Sequence, residues 1–228
     1  MRSWLALAAL IVLSACATSQ PRTFTGQFDP PPANSRILLM TPDVSLSMLT
    51  ASGLTEARAD WSESSRQNLT NSITAAMSTR SHTSIPLDPS TAMEGRQGQI
   101  IRLHQAVGSS IIAIDYFHAN IPTRRGRFDW TLGEGAQEIR QTYNADYALF
   151  VSANGSYASA GRVMVMVGMA ALGAAVPLGG QQAFASLVDL RTGNIIWFNV
   201  ATATPDQDMR NPEGAARLTE SLLRDVPL

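Results

Sequence analysis

The first sixteen residues limit how this chain can fold. Arg2 is followed by an uncharged apolar stretch from Trp4 to Val12, and small residues precede Cys16. A basic start, a short apolar run and small residues are typical of a cleaved secretory signal, and this run is too short to span a bilayer. Because Cys16 is the only cysteine, a disulfide framework is excluded. The remaining chain, 16–228, is apolar enough to bury a core instead.

The end of this signal is Leu13-Ser14-Ala15-Cys16, which resembles the lipobox of bacterial lipoproteins. The resemblance implies cleavage between Ala15 and Cys16, attachment of a diacylglycerol to the Cys16 thiol, and acylation of the new amino terminus by a fatty acid such as palmitate. Several acyl chains together form an effectively permanent membrane anchor. The alternative interpretation is an inert, buried cysteine in an ordinary secretory signal.

Residue 17 bears on which membrane would hold such an anchor. In Gram-negative lipoproteins an Asp at this position usually marks retention at the inner membrane, whereas this chain has Ala17. The resemblance therefore implies a protein anchored in the cell outer membrane, with its domain facing the periplasm.

Charge and histidine spacing exclude several function classes. The 17 basic residues, all arginine, are balanced by 18 acidic ones, so no broad basic face is expected and nucleic-acid binding is disfavoured. The three histidines, His82, His104 and His118, lack the spacing of a metal site. No Gly-x-Ser-x-Gly elbow, phosphate loop or dinucleotide fingerprint occurs. We therefore expect no catalytic residue, no metal and no cofactor.

The mature chain divides into a polar lead and one folded domain. Residues 16–35 are rich in Pro, Thr, Gln and Asn, which predicts a flexible tether. Residues 36–228 suit a single domain. Within it, 36–40 predicts a first buried strand, and 146–151 predicts a central strand that is apolar on both faces because helices cover it.

Helical spacing of apolar residues marks the segments between these strands. The spacing predicts a helix over 60–79, where Asp60 and Glu63 match a capping box, and another over 133–143.

A further helical face runs from Ile100 to Ile114 and includes His104, which we interpret as a core residue rather than a ligand. Gly108 lies inside this face and lowers helix stability by about 1 kcal/mol relative to alanine. The helix could therefore break there and leave 111–116 extended.

The last third of the chain predicts a β-hairpin followed by a helix. Two strand-like runs, 183–190 and 194–201, are joined by Arg191-Thr192-Gly193, and Gly193 can supply the positive φ that the turn requires. Asp189 is placed to accept hydrogen bonds from the turn amides. Pro212 is expected to open the final helix.

This hairpin carries a second resemblance. Its sequence from Asp189 to Trp197 resembles the Asp-x-x-Thr-Gly-x-x-x-Trp hairpin of CsgG-like and TolB-amino-terminal-like envelope lipoproteins. The segments 128–133 and 145–147 resemble an uncharacterised group of proteobacterial lipoproteins. These resemblances imply a mixed sheet flanked by helices and a role in envelope assembly. The paired transmembrane hairpins of the CsgG channel are not evident here. We expect an α/β fold, a single layered domain that ends in the hairpin and its helix.

The segment 163–180 is apolar and uncharged, and three interpretations compete for it. It could be a buried strand or helix that packs onto the sheet, a contact with a second copy or an envelope protein, or a membrane-inserting segment. It is short for a membrane span and ends near Pro177. We hypothesise a partner contact, with Met166 and Leu172 as its test positions.

These features together predict an interaction or assembly module of an envelope complex, anchored through its N-terminal lipid, and not an enzyme. Two alternatives remain open. A transport accessory lipoprotein would bind a lipid or small ligand in an apolar pocket lined by 163–178. An envelope hydrolase would require histidine and carboxylate side chains clustered in one cleft.

Overall fold

The structure is a computed structural model that describes residues 20–119, 121 and 126–228. The predicted signal, its cleavage site at Ala15 and Cys16, and the predicted lipid attachment at Cys16 lie outside these residues. Within them the chain forms eight strands and five α-helices. The strands are β1 (Arg22–Thr23), β2 (Arg36–Met40), β3 (Asp43–Leu49), β4 (Thr55–Ala57), β5 (Thr83–Leu87), β6 (Tyr147–Ala158), β7 (Gln181–Asp189) and β8 (Ile195–Thr202). The helices are α1 (Ala59–Thr79), α2 (Gly95–Ile111), α3 (Ala136–Tyr143), α4 (Ala160–Ala171) and α5 (Pro212–Leu222).

The strands form one mixed sheet in the order β1-β8-β7-β6-β2-β5. Strand β6 is central: it runs parallel to β2 over its first half and to β3 over its second half, and antiparallel to β7 along its other side. Strand β5 is parallel to β2, and β4 pairs with β3 at the edge. The predicted α/β class with a mixed sheet flanked by helices is confirmed.

Side-chain alternation along β6 divides the core between the two faces of the sheet. Leu149 and Val151 belong to a cluster with the buried face of α1 and with α5. Ala148 and Phe150 point to the opposite cluster, which α2 and α3 complete. Because successive residues of a strand face opposite sides, a strand covered by helices on both faces reads as a continuous apolar run. The predicted central strand is thus confirmed, and it extends to Ala158.

Helix α1 is confirmed at its predicted position, but its predicted capping box is wrong. The N-cap residue is Arg58, and no side chain caps the helix there. The guanidinium of Arg58 instead donates to both carboxylate oxygens of Asp60, at 2.8 and 2.6 Å. Glu63 pairs with Arg66 one turn later. Both carboxylates of the predicted capping box are therefore paired with arginine side chains instead of backbone amides.

The helical face from Ile100 to Ile114 is confirmed as α2, and the predicted break at Gly108 is wrong. The helix continues through Gly108 and widens into a π turn over Ile112–Tyr116 rather than becoming extended. Gly108 lies against the sheet: a Cβ at this position would stand 3.4 Å from the Phe184 ring. The helix therefore packs closely on the sheet at Gly108 without being interrupted there.

The predicted tether over 16–35 requires a correction within its described part. Strand β1 pairs antiparallel with β8, so that Arg22 lies opposite Phe198. Phe24 and Phe28 pack against the core cluster that includes α1 and α5. The Tyr147 hydroxyl donates to the Asp29 carbonyl at 3.0 Å. Residues 22–29 therefore lie along the domain and extend its sheet by one strand.

The C-terminal hairpin and its helix are confirmed as β7, β8 and α5. Gly193 has φ +76°, and the Arg191 amide donates to the Asp189 carboxylate at 2.8 Å. The segment 130–133 crosses this turn: the Leu132 amide donates to the Gly193 carbonyl at 2.8 Å. The structure thus brings together the hairpin motif and the upstream segment that the sequence singled out separately.

Candidate functional site

The candidate site is helix α4 with the segment that follows it, 172–180, which together we call the apolar arm. The arm connects β6 to β7 at one end of the sheet. Ser159 caps the helix, since its hydroxyl accepts from the Arg162 amide at 3.1 Å. The Arg162 side chain donates to the Pro177 carbonyl at 3.0 Å. The arm therefore begins at a capped helix terminus and folds back on its own first turn.

The side chains of the arm are not buried by the rest of the domain. Helix α4 has no buried residue. Met164 is 72%, Val167 55% and Leu172 81% exposed. Single exposed apolar residues are normal, but a contiguous patch marks an interaction site. Of the two predicted contact positions, Leu172 is exposed and Met166 is half-buried.

Two of the predictions for this segment can now be judged. The interpretation as a buried element that packs onto the sheet is wrong, because none of the residues of α4 is buried. The strand form of that interpretation is also wrong, because residues 163–171 are helical. Its use as a contact surface, with Met166 and Leu172 as contact residues, stays a prediction.

The arm is also too short to cross a bilayer. Twelve helical residues extend about 18 Å, against about 30 Å of hydrocarbon. Among the residues that the structure describes, none of the helices combines the length and the apolar character of a membrane span.

The tip between β3 and β4 lies beside the start of the arm. The Ser159 amide donates to the Leu49 carbonyl at 2.9 Å, and a Cβ on Gly161 would stand 3.2 Å from that of Ala51. This tip carries Leu54, which is 70% exposed. The arm and Leu54 therefore place exposed apolar side chains at the same end of the sheet.

A second feature is a cavity of about 360 Å³ beyond the carboxyl end of β2. Its lining includes Asp43, His104 and Phe150. In open α/β sheets, ligands often bind beyond the carboxyl ends of strands. An adjoining cavity of about 460 Å³ shares Asp43 and adds Arg66 and Asp88. Neither cavity is lined by the arm, so neither is the apolar pocket over 163–178 that a transport accessory lipoprotein would need.

His104 is the buried core residue that the sequence predicted. Its ring stacks on Phe150 with centroids 3.8 Å apart, and its Nε2 shares a 2.6 Å hydrogen bond with the Ser186 hydroxyl. Burial lowers the pKa of His104 to about 3, so the imidazole is neutral near pH 7. Ser186 is fully buried. A substrate cannot reach that hydroxyl, and we interpret the pair as structural.

Acidic and histidine side chains do not gather into a metal-binding group in the part of the chain that the structure describes. Asp43 and His104 line the same cavity. The Nε2 of His104 is already engaged by Ser186.

An arginine–aromatic cluster near the end of β6 was missed by the sequence analysis. The Arg210 guanidinium lies 3.7 Å from the Tyr157 ring centroid and 4.6 Å from that of Trp61. Arg58 lies 4.1 Å from the same Trp61 ring. Stacking on aromatic faces suits guanidinium groups, and Asp208 pairs with Arg210 at 2.7 Å. The cluster combines three segments that are distant in sequence, around residues 58–61, 157 and 208–210, so no local motif could reveal it.

Comparison with known proteins returned structural neighbours only. No family model matches the chain, and no curated protein matches it. A PelC dodecamer from Paraburkholderia phytofirmans is similar over 93% of this chain and 98% of its own, with 13% identity and a TM-score of 0.39. Lipoprotein GNA1162 from Neisseria meningitidis covers 74% of this chain and 81% of its own, with 14% identity and a TM-score of 0.32.

The C-terminal domain of LpoB from Salmonella enterica covers 86% of this chain and 92% of its own, with 16% identity and a TM-score of 0.29. At these identities and TM-scores, none of the similarities assigns the chain to a family or a function.

Proposed function

We propose that this chain is an envelope lipoprotein, anchored in the outer membrane through Cys16, whose periplasmic α/β domain is an interaction module and not a catalyst. The single observation that carries the proposal is the apolar arm. A helix without a polar stripe, left exposed on a folded domain, requires another surface to cover it. The Leu-Ser-Ala-Cys motif supports a membrane-anchored location, where lipid and envelope proteins can cover such a helix.

In this proposal the domain binds a component of the envelope through the apolar arm. The fold supports that use, because both ends of the arm are fixed. The Ser156 amide donates to the Gly180 carbonyl at 3.0 Å, and Ser159 caps the start of α4. An arm held at both ends presents Met164 and Leu172 in a defined position.

Photo-crosslinking in intact cells tests the interaction module. We expect a photoreactive residue in place of Leu172 to form an adduct with an envelope component, because the side chain at this position is covered in the cell. The matched control is the same residue in place of Leu103, an exposed leucine on α2. If position 172 gives no more adduct than position 103, the arm is uncovered and the module is refuted.

The anchor is tested by Cys16→Ser in the full chain, followed by membrane fractionation. We expect the variant to escape acylation and to lose its resistance to extraction with carbonate, since the acyl chains that hold the mature protein would be absent. Ala17→Asp is the matched change beside it and is expected to move the acylated protein to the inner membrane. Normal processing of the Cys16→Ser chain, with retention in carbonate-washed membranes, would disprove the lipid anchor.

A further inference from the structure

The direction of the N-terminal chain relates the predicted anchor to the apolar arm. Strand β1 is antiparallel to β8, with Arg22 opposite Phe198 and Thr23 opposite Trp197. The chain before Arg22 therefore runs along β8 toward Thr202. The Tyr116 hydroxyl holds this course, since it lies 2.6 Å from the Gln20 carbonyl and 3.3 Å from that of Phe198.

The arm leaves the sheet at that same end. Thr202 lies opposite Gln182, and Gln182 is the second residue of β7, directly after the arm. Strands β1 and β6 are separated by three strand spacings in the sheet order, about 14 Å. The four residue-to-residue steps from Cys16 to Gln20 can span at most about 14 Å. The predicted acyl anchor therefore lies within about 14 Å of Gln20, and the chain at Gln20 runs toward the end of the sheet from which α4 projects.

A bilayer that holds the acyl chains must then lie close to the arm. Met164, Leu172 and Leu54 are all exposed at this end. Arg162 is the only charged residue of α4, and its side chain is turned back to the Pro177 carbonyl. A helix that lies in the membrane interface buries its apolar side chains about 5–10 Å into the boundary between headgroups and acyl chains.

We propose that the apolar arm inserts into the same leaflet that holds the Cys16 acyl chains, so that the domain has two attachments and a fixed orientation. This inference rests on the proposed function, because it names the envelope component that the arm contacts. A lipid surface is favoured over a second copy of the chain because the chain direction and the short reach from Gln20 bring the bilayer to this end.

Fluorescence of a single label on the acylated full chain tests the insertion. Cys16 is the only native cysteine and its thiol is consumed by the lipid, so Leu172→Cys or Met164→Cys provides one reactive thiol. Leu103→Cys on α2 is the matched control. Each variant is labelled with a nitrobenzoxadiazole dye and reconstituted into vesicles of phosphatidylethanolamine and phosphatidylglycerol. Spin-labelled lipid is then added as the quencher.

We expect a blue-shifted emission at positions 164 and 172 that spin-labelled acyl chains largely quench, and little change at position 103. Emission typical of water at position 172 would overturn the insertion. A blue-shifted emission that lipid does not quench would mean that protein covers the arm, which overturns the insertion and leaves the proposed function standing. Failure of the wild-type acylated chain to remain on vesicles would overturn both.

Discussion

Replacing Gly193 with alanine is expected to destabilise the domain by about 3 to 4 kcal/mol and to lower its Tm by about 10 °C. Gly193 has φ +76°, and an L-residue in this left-handed region costs about 1 to 2 kcal/mol. The alanine Cβ would also stand 2.1 Å from the Gly133 carbonyl oxygen. Because both groups are backbone or directly attached to it, one of the two segments must move.

Movement of either segment would also weaken the backbone hydrogen bonds between 130–133 and the hairpin turn, which lowers the free energy of unfolding further. Two backbone hydrogen bonds join these segments, from Leu132 to the Gly193 carbonyl at 2.8 Å and from Ile195 to the Trp130 carbonyl at 2.9 Å. Each contributes about 1 kcal/mol. Urea denaturation of wild type and variant measures the loss.

Gly168→Ala is the matched control for this substitution. A Cβ at Gly168 meets no heavy atom within 4 Å, and the residue lies inside α4, so alanine is expected to stabilise that helix by up to about 1 kcal/mol. If Gly193→Ala costs less than about 1 kcal/mol, the packing of 130–133 on the hairpin turn is not as described.

Much of the sheet could be predicted because its signals are local. The hairpin was marked by Gly193 between two strand-like runs, and β6 by apolar residues that alternate between two buried faces. Strand β3 was not predicted, although Asp43-Val44-Ser45-Leu46 alternates between polar and apolar residues with period two. Strand β1 has only two residues, too few for any periodic signal, and depends on β8 for its hydrogen bonds.

The sequence predicted where the candidate site lies in the chain, but not whether its side chains are buried or exposed. A run such as Val163 to Val167 has the same pattern in a buried strand, a buried helix or an exposed helix, since periodicity compares faces and this run has no polar face. Its exposure follows from the tertiary arrangement, in which the ends of the arm are fixed at Ser159 and Gly180 while α1 and α5 already cover the sheet. The sequence alone does not show which helices cover the sheet and which remain exposed.

The second large effect is a loss of stability in acid that originates at His104. The pKa of His104 is lowered to about 3 in the folded protein because burial disfavours the charged imidazole, whereas an unfolded histidine has a pKa near 6.5. As the pH falls below about 6.5, the unfolded chain binds a proton that the folded chain does not bind. Above that pH the imidazole is neutral in both states and does not affect the free energy of unfolding. Below it, the free energy of unfolding decreases by about 1.4 kcal/mol per pH unit toward pH 3.

Urea denaturation at pH 7 and pH 4 isolates this contribution when wild type is compared with His104→Gln, which cannot titrate. We expect the stability of wild type relative to the variant to fall by about 3 kcal/mol between the two pH values, because the contributions of the carboxylates are common to both proteins. Ser186→Ala removes the hydrogen-bond partner and leaves the imidazole buried, so its pH dependence should remain close to that of wild type. If His104→Gln and wild type lose stability in parallel, the folded imidazole accepts a proton as readily as the unfolded one, and the ring is not held in a buried site between α2 and the sheet.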